Sequence, residues 1–390
     1  MHLLEQYALS SGLKIGKPFI YEVFFPITSK RYISFHPNSK FESKNYDYWQ
    51  LVIDFIYPIL LKNGIDIVQI GTREDKAYKN CTHTQGQSSI NQTAYIIKNS
   101  ELSFGADSFS AHVASGFDKK IVAIYSNNNI ANCKPYWSNK QDLVLIEPER
   151  GEDKPSYSSK ESPKSINKIK PEVIANSILG LLGIEEVIKA ETLFIGDNFN
   201  DQIAFGFLPN QVVQSNKMAP EIRMDLLRDE NYLSSQLARQ KSIITTNKSI
   251  SKEILLKFKL NVANIIYIVE ELDEPDFVKF LFENGFAFSC VSKLGPEKLK
   301  DKRINYYKYA KIEEHLENDK EKQIKLLLKN LVTQDVKFKT NYVICSNRKN
   351  YLSEQHLLDG ESTESLNDFN KIKTSDLFLG DLKNLWIIKE

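Results

Sequence analysis

Short apolar runs alternate with stretches of helical spacing along this chain, and that rhythm admits few folds. Residues 31–35 read as a strand. Residues 49–61 carry apolar side chains at helical spacing (Trp49, Val52, Ile53, Phe55, Ile56, Ile59, Leu60) and stop at Asn63-Gly64, a helix-ending pair. Residues 66–70 form a short buried strand closed by Gly71. A helix over 90–97, a strand over 102–104 ending at Gly105, a helix over 108–115 and a strand over 120–125 follow. Strands separated by helices at this spacing predict βαβ units and a parallel sheet.

Residues 147–168 are polar and rich in Pro and Ser, which predicts a solvated loop. A helix over 171–182 begins at Pro171 and ends at Gly183. A second series starts near Glu191, with strands expected at 192–195, 211–214, 242–245, 264–269 and 287–291. Helices are expected at 251–258 and 276–283, and a long charged one over 313–331. The tail reads as a hairpin, 340–346 with 350–352, plus a final strand over 385–388. The 390 residues suit two domains. The expectation is α/β, two Rossmann-like parallel-sheet domains in tandem, 1–188 and 189–390.

Charge and composition narrow the function. Lys and Arg number 51 against 50 Asp and Glu, a formal charge of +1, so the basic surplus of a dedicated nucleic-acid binder is missing. No apolar run approaches the roughly 20 residues that span a bilayer. Met-His-Leu-Leu-Glu lacks the basic start and apolar core of a signal peptide. Cys81, Cys133, Cys290 and Cys345 are scattered without CxxC spacing, which suggests neither a zinc site nor a disulfide framework. A cytoplasmic location is the expectation.

Ligands of open α/β sheets gather beyond the carboxyl ends of the strands. Three loops at such ends carry chemistry. In Ser103-Phe-Gly-Ala-Asp-Ser-Phe-Ser-Ala-His112 a strand ends and a helix begins at Asp107-Ser108. A helix N-terminus suits a phosphate, with Ser108 and Ser110 adding hydroxyls and His112 one turn in. The competing reading is that Asp107 or Ser108 only caps the helix and His112 is a core histidine. The loop from Phe35 to Trp49 holds Ser39, Lys40 and Lys44, and a lysine here could meet a diphosphate as a point charge. The loop after 66–70 holds Glu74 and Asp75, able to accept hydrogen bonds from ribose hydroxyls. Each loop alone also reads as plain surface. No P-loop, GxGxxG or GxSxG pattern occurs.

Taken in order, these elements resemble the donor-binding half of the heptosyltransferase-like glycosyltransferases (family 9), over about residues 1–185. The carriers are the His-Pro-Asn-Ser…Ser-Lys-Asn-Tyr-Asp-Tyr-Trp loop, Asn-Gly-Ile-Asp-Ile-Val-Gln-Ile-Gly, the Gly-Ala-Asp-Ser-Phe-Ser-Ala-His segment and the Lys-Lys-Ile-Val-Ala-Ile-Tyr strand. The resemblance implies a GT-B fold and sugar transfer from a nucleotide-sugar donor to a glycan or other hydroxyl acceptor, inverting and metal-independent, with no cofactor. It implies Lys44 at the donor diphosphate; Asp107, Ser108, Ser110 and His112 at its phosphate and sugar end; Ser39 on the same loop; and Glu74 or Asp75 toward the nucleoside. Nucleic acid stays open only as an acceptor.

One departure is the order. In the family the donor half comes second, whereas here it comes first, so the chain is expected to be circularly permuted or to lack a preceding domain. Residues 189–390 are then the acceptor side. Its general base is expected at Asp197, in Ile195-Gly-Asp-Asn-Phe-Asn-Asp201, with Asp201 as fallback; the competing reading is a turn. Two alternatives stand beside transfer. One is a GT-B sugar-nucleotide epimerase or hydrolase, and the other a non-catalytic binding protein.

Overall fold

In the computed structural model residues 1–200, 202–214, 219–314, 318–331 and 335–390 are described. The chain divides into two compact units, Met1–Ala190 and Glu191–Glu390. Among the described residues no helix is long and apolar enough to cross a membrane.

Unit 1 contains α1 (Leu3–Ser11), β1 (Tyr32–His36), α2 (Trp49–Lys62), β2 (Asp66–Gln69), β3 (Thr82–His83), α3 (Ile90–Asn99), β4 (Leu102–Ala106), α4 (Phe109–Gly116), β5 (Lys120–Ile124), α5 (Ile130–Cys133), β6 (Leu143–Ile146) and α6 (Pro171–Leu182). Its sheet is parallel, in the order β3-β2-β1-β4-β5-β6. Winding runs one way from β1 to β3, then restarts beside β1 and runs the other way. Because strand–helix–strand crossovers are right-handed, that reversal puts helices on both faces. The cores show it. Ile33, Phe35, Phe104 and Val122 pack with α2 and α6 on one face. Tyr32, Val68, Ile121 and Ala123 pack with α3 and α4 on the other. Hence β1 and β4 are buried along their whole length.

Unit 2 contains β7 (Glu191–Ile195), β8 (Ala204–Phe207), β9 (Glu221–Arg223), α7 (Glu230–Arg239), β10 (Ser242–Thr246), α8 (Lys252–Lys257), β11 (Val262–Val269), α9 (Pro275–Glu283), β12 (Phe288–Ser292), α10 (Pro296–Tyr306), β13 (Ile312–Glu314), α11 (Asn318–Lys329), β14 (Val336–Thr340), β15 (Tyr342–Ser346), β16 (Lys349–Tyr351), α12 (Glu354–Asp359), β17 (Asn370–Lys371), α13 (Asp376–Leu379) and β18 (Leu385–Lys389). Strands β8 to β13 lie side by side in sequence order, all parallel, with β15 and β16 beyond β8. Right-handed crossovers that step in one direction keep every helix on one face. Accordingly Leu233, Leu237, Leu255, Phe277, Leu281 and Leu299 of α7 to α10 share a single core with Ile222, Ile244, Ile265 and Cys290.

Three expectations fail in this unit. The strand expected at 211–214 is loop; its apolar signal comes from Val213, buried against the helices with its carbonyl held by Gln236 Nε2 at 3.1 Å. The helix expected over 313–331 is interrupted, because Ile312 enters the core as β13 and the helix starts at Asn318. The strand over 192–195 exists, but it pairs antiparallel with β18 in a separate sheet, β17-β14-β18-β7, rather than opening the parallel series.

Candidate active site

The winding of unit 1 reverses between β1 and β4, and neighbouring loops part at such a point to leave a crevice. The polar residues singled out from the sequence collect there. Gly105 lies opposite His36 in the β1–β4 ladder at φ +152°, and a Cβ at this position would stand 2.0 Å from the His36 carbonyl oxygen. Only glycine lets the two strands approach so closely. This glycine thus sits within β4 and does not end it.

Lys44 Nζ meets Asp107 Oδ2 at 2.6 Å, with the residues 9% and 5% exposed. The loop over 147–168, expected to be solvated, is largely exposed but is stitched to the segment that carries Lys44. Ser43 donates its N–H to Ser159 O at 3.1 Å and its hydroxyl to Ser158 O at 2.7 Å. Asn127 Nδ2 donates to the same Ser158 carbonyl at 2.6 Å, and Lys164 pairs with Asp47 at 2.6 Å. This strap fixes the backbone on either side of Lys44.

Ser108 occupies the N-cap position of α4, yet its hydroxyl does not cap the helix. It lies 2.7 Å from His36 Nδ1 and 3.0 Å from Ser110 Oγ, and Ser110 Oγ is 3.1 Å from the same ring nitrogen. The N-cap side chain makes no hydrogen bond to the helix end, whose N-terminal dipole suits an anion. Burial pushes the His36 imidazole down to about 4, against the raising effect of Asp75, so at neutral pH it is an uncharged partner for the hydroxyls. His112, half-buried one turn into α4, is likewise pushed down by burial, with Asp107 opposing and His2 and Lys44 assisting.

The remaining candidates divide. Ser39 donates its N–H to Asn45 Oδ1 at 2.7 Å, which closes the loop that carries Lys44. Glu74 is exposed on its turn. Its neighbour Asp75 is the one that joins the cluster. It folds over Gly71, accepts from Thr72 N at 2.7 Å and from Asn38 Nδ2 at 2.9 Å, and so ties the β1 and β2 loops together. Asp197, in unit 2, is exposed after β7. Its Gly196 is required by packing, since a Cβ there would meet Leu382 and Lys383 carbonyl oxygens at 2.3 and 2.2 Å. Because β7 belongs to the antiparallel sheet, the strand-end rule for parallel sheets does not reach Asp197. Asp201 lies outside the described residues.

Two residues of the cluster were not assigned to the site from the sequence, which weighed His36 only as shaping the donor loop or capping its strand. His36 is the last residue of the first strand, a strand-end polar position that could have marked it. His2 leaves no such signal; it caps α1 in a box with Glu5 and reaches Lys134 O at 2.8 Å.

Residues 6–162 match the model of glycosyltransferase family 9 (heptosyltransferase). Solved structures similar to the chain include Escherichia coli ADP-heptose LPS heptosyltransferase II, 16% identical, covering 46% of this chain and 50% of that one with a TM-score of 0.32. A family 9 glycosyl transferase from Veillonella parvula is 19% identical, with the same coverage and score. E. coli heptosyltransferase WaaC with ADP is 11% identical, covering 45% and 54% at 0.32. The chain spans about half the length of these structures. No curated protein matches it. The Lys44–Asp107 pair and the His36–Ser108–Ser110 cluster both lie within the residues that match the glycosyltransferase family 9 (heptosyltransferase) model.

Proposed function

We propose that the chain is a glycosyltransferase that binds a nucleotide-sugar donor at the β1–β4 crevice of unit 1 and passes the sugar to an acceptor hydroxyl. The observation that carries the reading is the meeting of the Lys44–Asp107 pair with the uncapped end of α4, inside the family-matched segment. The leaving nucleoside diphosphate gains charge as the glycosidic bond breaks, and preorganised donors stabilise it. Those donors are the α4 N–H groups, the Ser108 and Ser110 hydroxyls and the Lys44 ammonium. Asp107 holds Lys44 in place and does not itself face a phosphate, since two like charges would repel. His36 orients the hydroxyls. Glu74 and Asp75 are assigned to the nucleoside side, Asp75 first because it is fixed by Asn38.

In this reading transfer is a single inverting displacement that needs no metal, and the donor unit precedes the acceptor unit in permuted order. A carboxylate of unit 2, Asp197 in the first instance, takes the acceptor proton. The test is thermal stabilisation by a panel of nucleoside diphosphates, since a ligand that binds only the native state raises stability with concentration. Lys44→Ala alone would leave Asp107 buried and unpaired, so the variant of choice is Lys44→Met with Asp107→Asn. A selective shift that this double variant abolishes supports the reading. A shift that survives it removes the pair from the site. Loss of transfer in EDTA would overturn the metal-free part.

A further inference from the structure

Helices α7 to α10 cover one face of the parallel sheet of unit 2, and the opposite face carries other chemistry. Glu221, Arg223, Thr245, Ile266, Ile268, Val291 and Glu313 alternate along their strands with the residues of the helix-packed core. They form the floor of a cavity of about 330 Å³, within the usual range for small-molecule sites. Tyr342, Glu354, Asp381 and Lys293 stand among its walls. Asn198 lines it, while Asp197 does not.

The polar side of this cavity is built, not incidental. Arg223 is 6% exposed and bonded to Asp225 through Nε at 2.8 Å and Nη2 at 2.7 Å, to Glu354 Oε1 at 3.0 Å and to the Tyr342 hydroxyl at 3.1 Å. Tyr342 donates in turn to Glu221 Oε2 at 2.9 Å. Gly206 makes this possible, for a Cβ there would lie 2.1 Å from the Tyr342 oxygen. Asp381 is 9% exposed. Among the described residues its carboxyl accepts a single long bond, 3.4 Å from the Glu354 N–H, so Oδ1 stands at the wall without a protein partner.

Charge then selects the ligand. Glu221, Glu313, Glu354 and Asp381 face Arg223, Lys293 and Lys383, and Arg223 is already committed to two carboxylates. A phosphate would find no uncommitted arginine and several like charges. Among the described residues no three His, Cys, Asp or Glu side chains are grouped to hold a metal ion. Carboxylate oxygens that still have lone pairs, beside the apolar part of the floor at Ile266, Ile268 and Val291, suit a molecule with hydroxyls on its edge and C–H groups on its face.

We propose that this cavity binds a neutral pyranose sugar, its hydroxyls donating to Glu221, Glu354 and Asp381 while its apolar face rests on Ile266, Ile268 and Val291. The site lies wholly within unit 2 and stands apart from the donor reading of unit 1. Burial and the neighbouring Glu354 raise the Asp381 carboxyl to about 7, with Lys293 and Arg223 opposing, so near neutrality it can donate as well as accept.

The test is saturation-transfer NMR on the full chain with methyl α-D-glucopyranoside, methyl α-D-mannopyranoside and methyl α-D-galactopyranoside, and with inorganic phosphate and spermidine as charged controls. At least one glycoside should show transfer. Glu221→Gln should weaken it roughly tenfold, the worth of one bond to a charged group. Ile268→Phe, which fills the cavity from its floor without touching the polar network, should abolish it. The Lys44→Met/Asp107→Asn variant should leave it unchanged. Absence of transfer from all three glycosides, transfer to phosphate or spermidine in their place, or transfer that persists in Ile268→Phe would each overturn the proposal.

Discussion

The two units use the same parts and wind them differently. Unit 1 reverses direction between β1 and β4, and its polar groups meet at the ends of these two strands, where His36 and Lys44 come from the end of β1 and its loop, and Asp107 and Ser108 from the turn after β4. Unit 2 steps one way from β8 to β13, and its polar groups lie on the face of the sheet away from α7 to α10, where Glu221, Arg223 and Thr245 belong to strands. Strand order, more than fold class, decides where ligand chemistry collects. A loop site can change with little effect on the sheet; a site on the face of a sheet is bound to the register of the strands beneath it.

That contrast can be broken most directly at the buried ion pairs. Asp107→Ala leaves the Lys44 ammonium buried without a partner and should cost about 3–5 kcal/mol. The loss should be confined to unit 1, read as hydrogen-exchange protection in β1 and β4 with β10 and β11 unaffected. Equal loss in both units would mean that they do not unfold separately. In unit 2 the sharper probe is Gly206→Ala, which forces the Tyr342 hydroxyl away from Arg223 and should cost about 1–3 kcal/mol by urea denaturation. If register fixes the face site, this change should also abolish the glycoside signal.

Acidity separates the units further, because two buried groups titrate in opposite senses. His36 falls to about 4 from an ordinary 6.5, so the stability it lends is present above 6.5 and drains away as pH drops toward 4. Asp381 rises to about 7 from 3.8, so the stability it lends is present below 3.8 and is lost as pH climbs through 7. Asp381→Asn should therefore raise the unfolding temperature at pH 8 and flatten the alkaline decline of unit 2, while leaving the acid limb of unit 1 in place. An unchanged profile would show that Asp381 is not held protonated. The smallest effect is expected at Ser89, whose hydroxyl accepts from Gln92 N in the capping box of α3. Ser89→Ala should cost about 1 kcal/mol, with nucleotide stabilisation unaltered. A change in that stabilisation would tie α3 to the site.

The sequence made much of unit 1 legible, because β1, β2, β4 and β5 are short, mostly apolar and buried runs set between stretches of helical spacing. Lys44 and Asp107 could each be singled out by position, but not as partners, since a pairing over 63 residues of separation depends on which strands become neighbours. For the same reason Glu74 and Asp75 looked alike, until the fold of Asp75 over Gly71 told them apart. The strap at 156–164 escaped because Ser and Pro describe solvated loops and stitched ones equally well. In unit 2 β10, β11 and β12 could be read, whereas the short β8, β9 and β13 could not, and nothing local distinguishes β7 from the parallel strands. Its antiparallel pairing with β18 is chosen by a partner nearly 200 residues away. The face cavity was invisible to a search for motifs at loop ends, because Glu221 and Arg223 belong to a three-residue strand on either side of the core residue Ile222.

The Lys44–Asp107 pair has a kinetic consequence. An ammonium already matched by a carboxylate at 2.6 Å adds almost nothing to the field felt a Debye length away, so it cannot draw anions in from bulk solution. Arrival of a charged ligand at the end of α4 would then be governed by ordinary diffusion and fit, and its rate should barely respond to added salt.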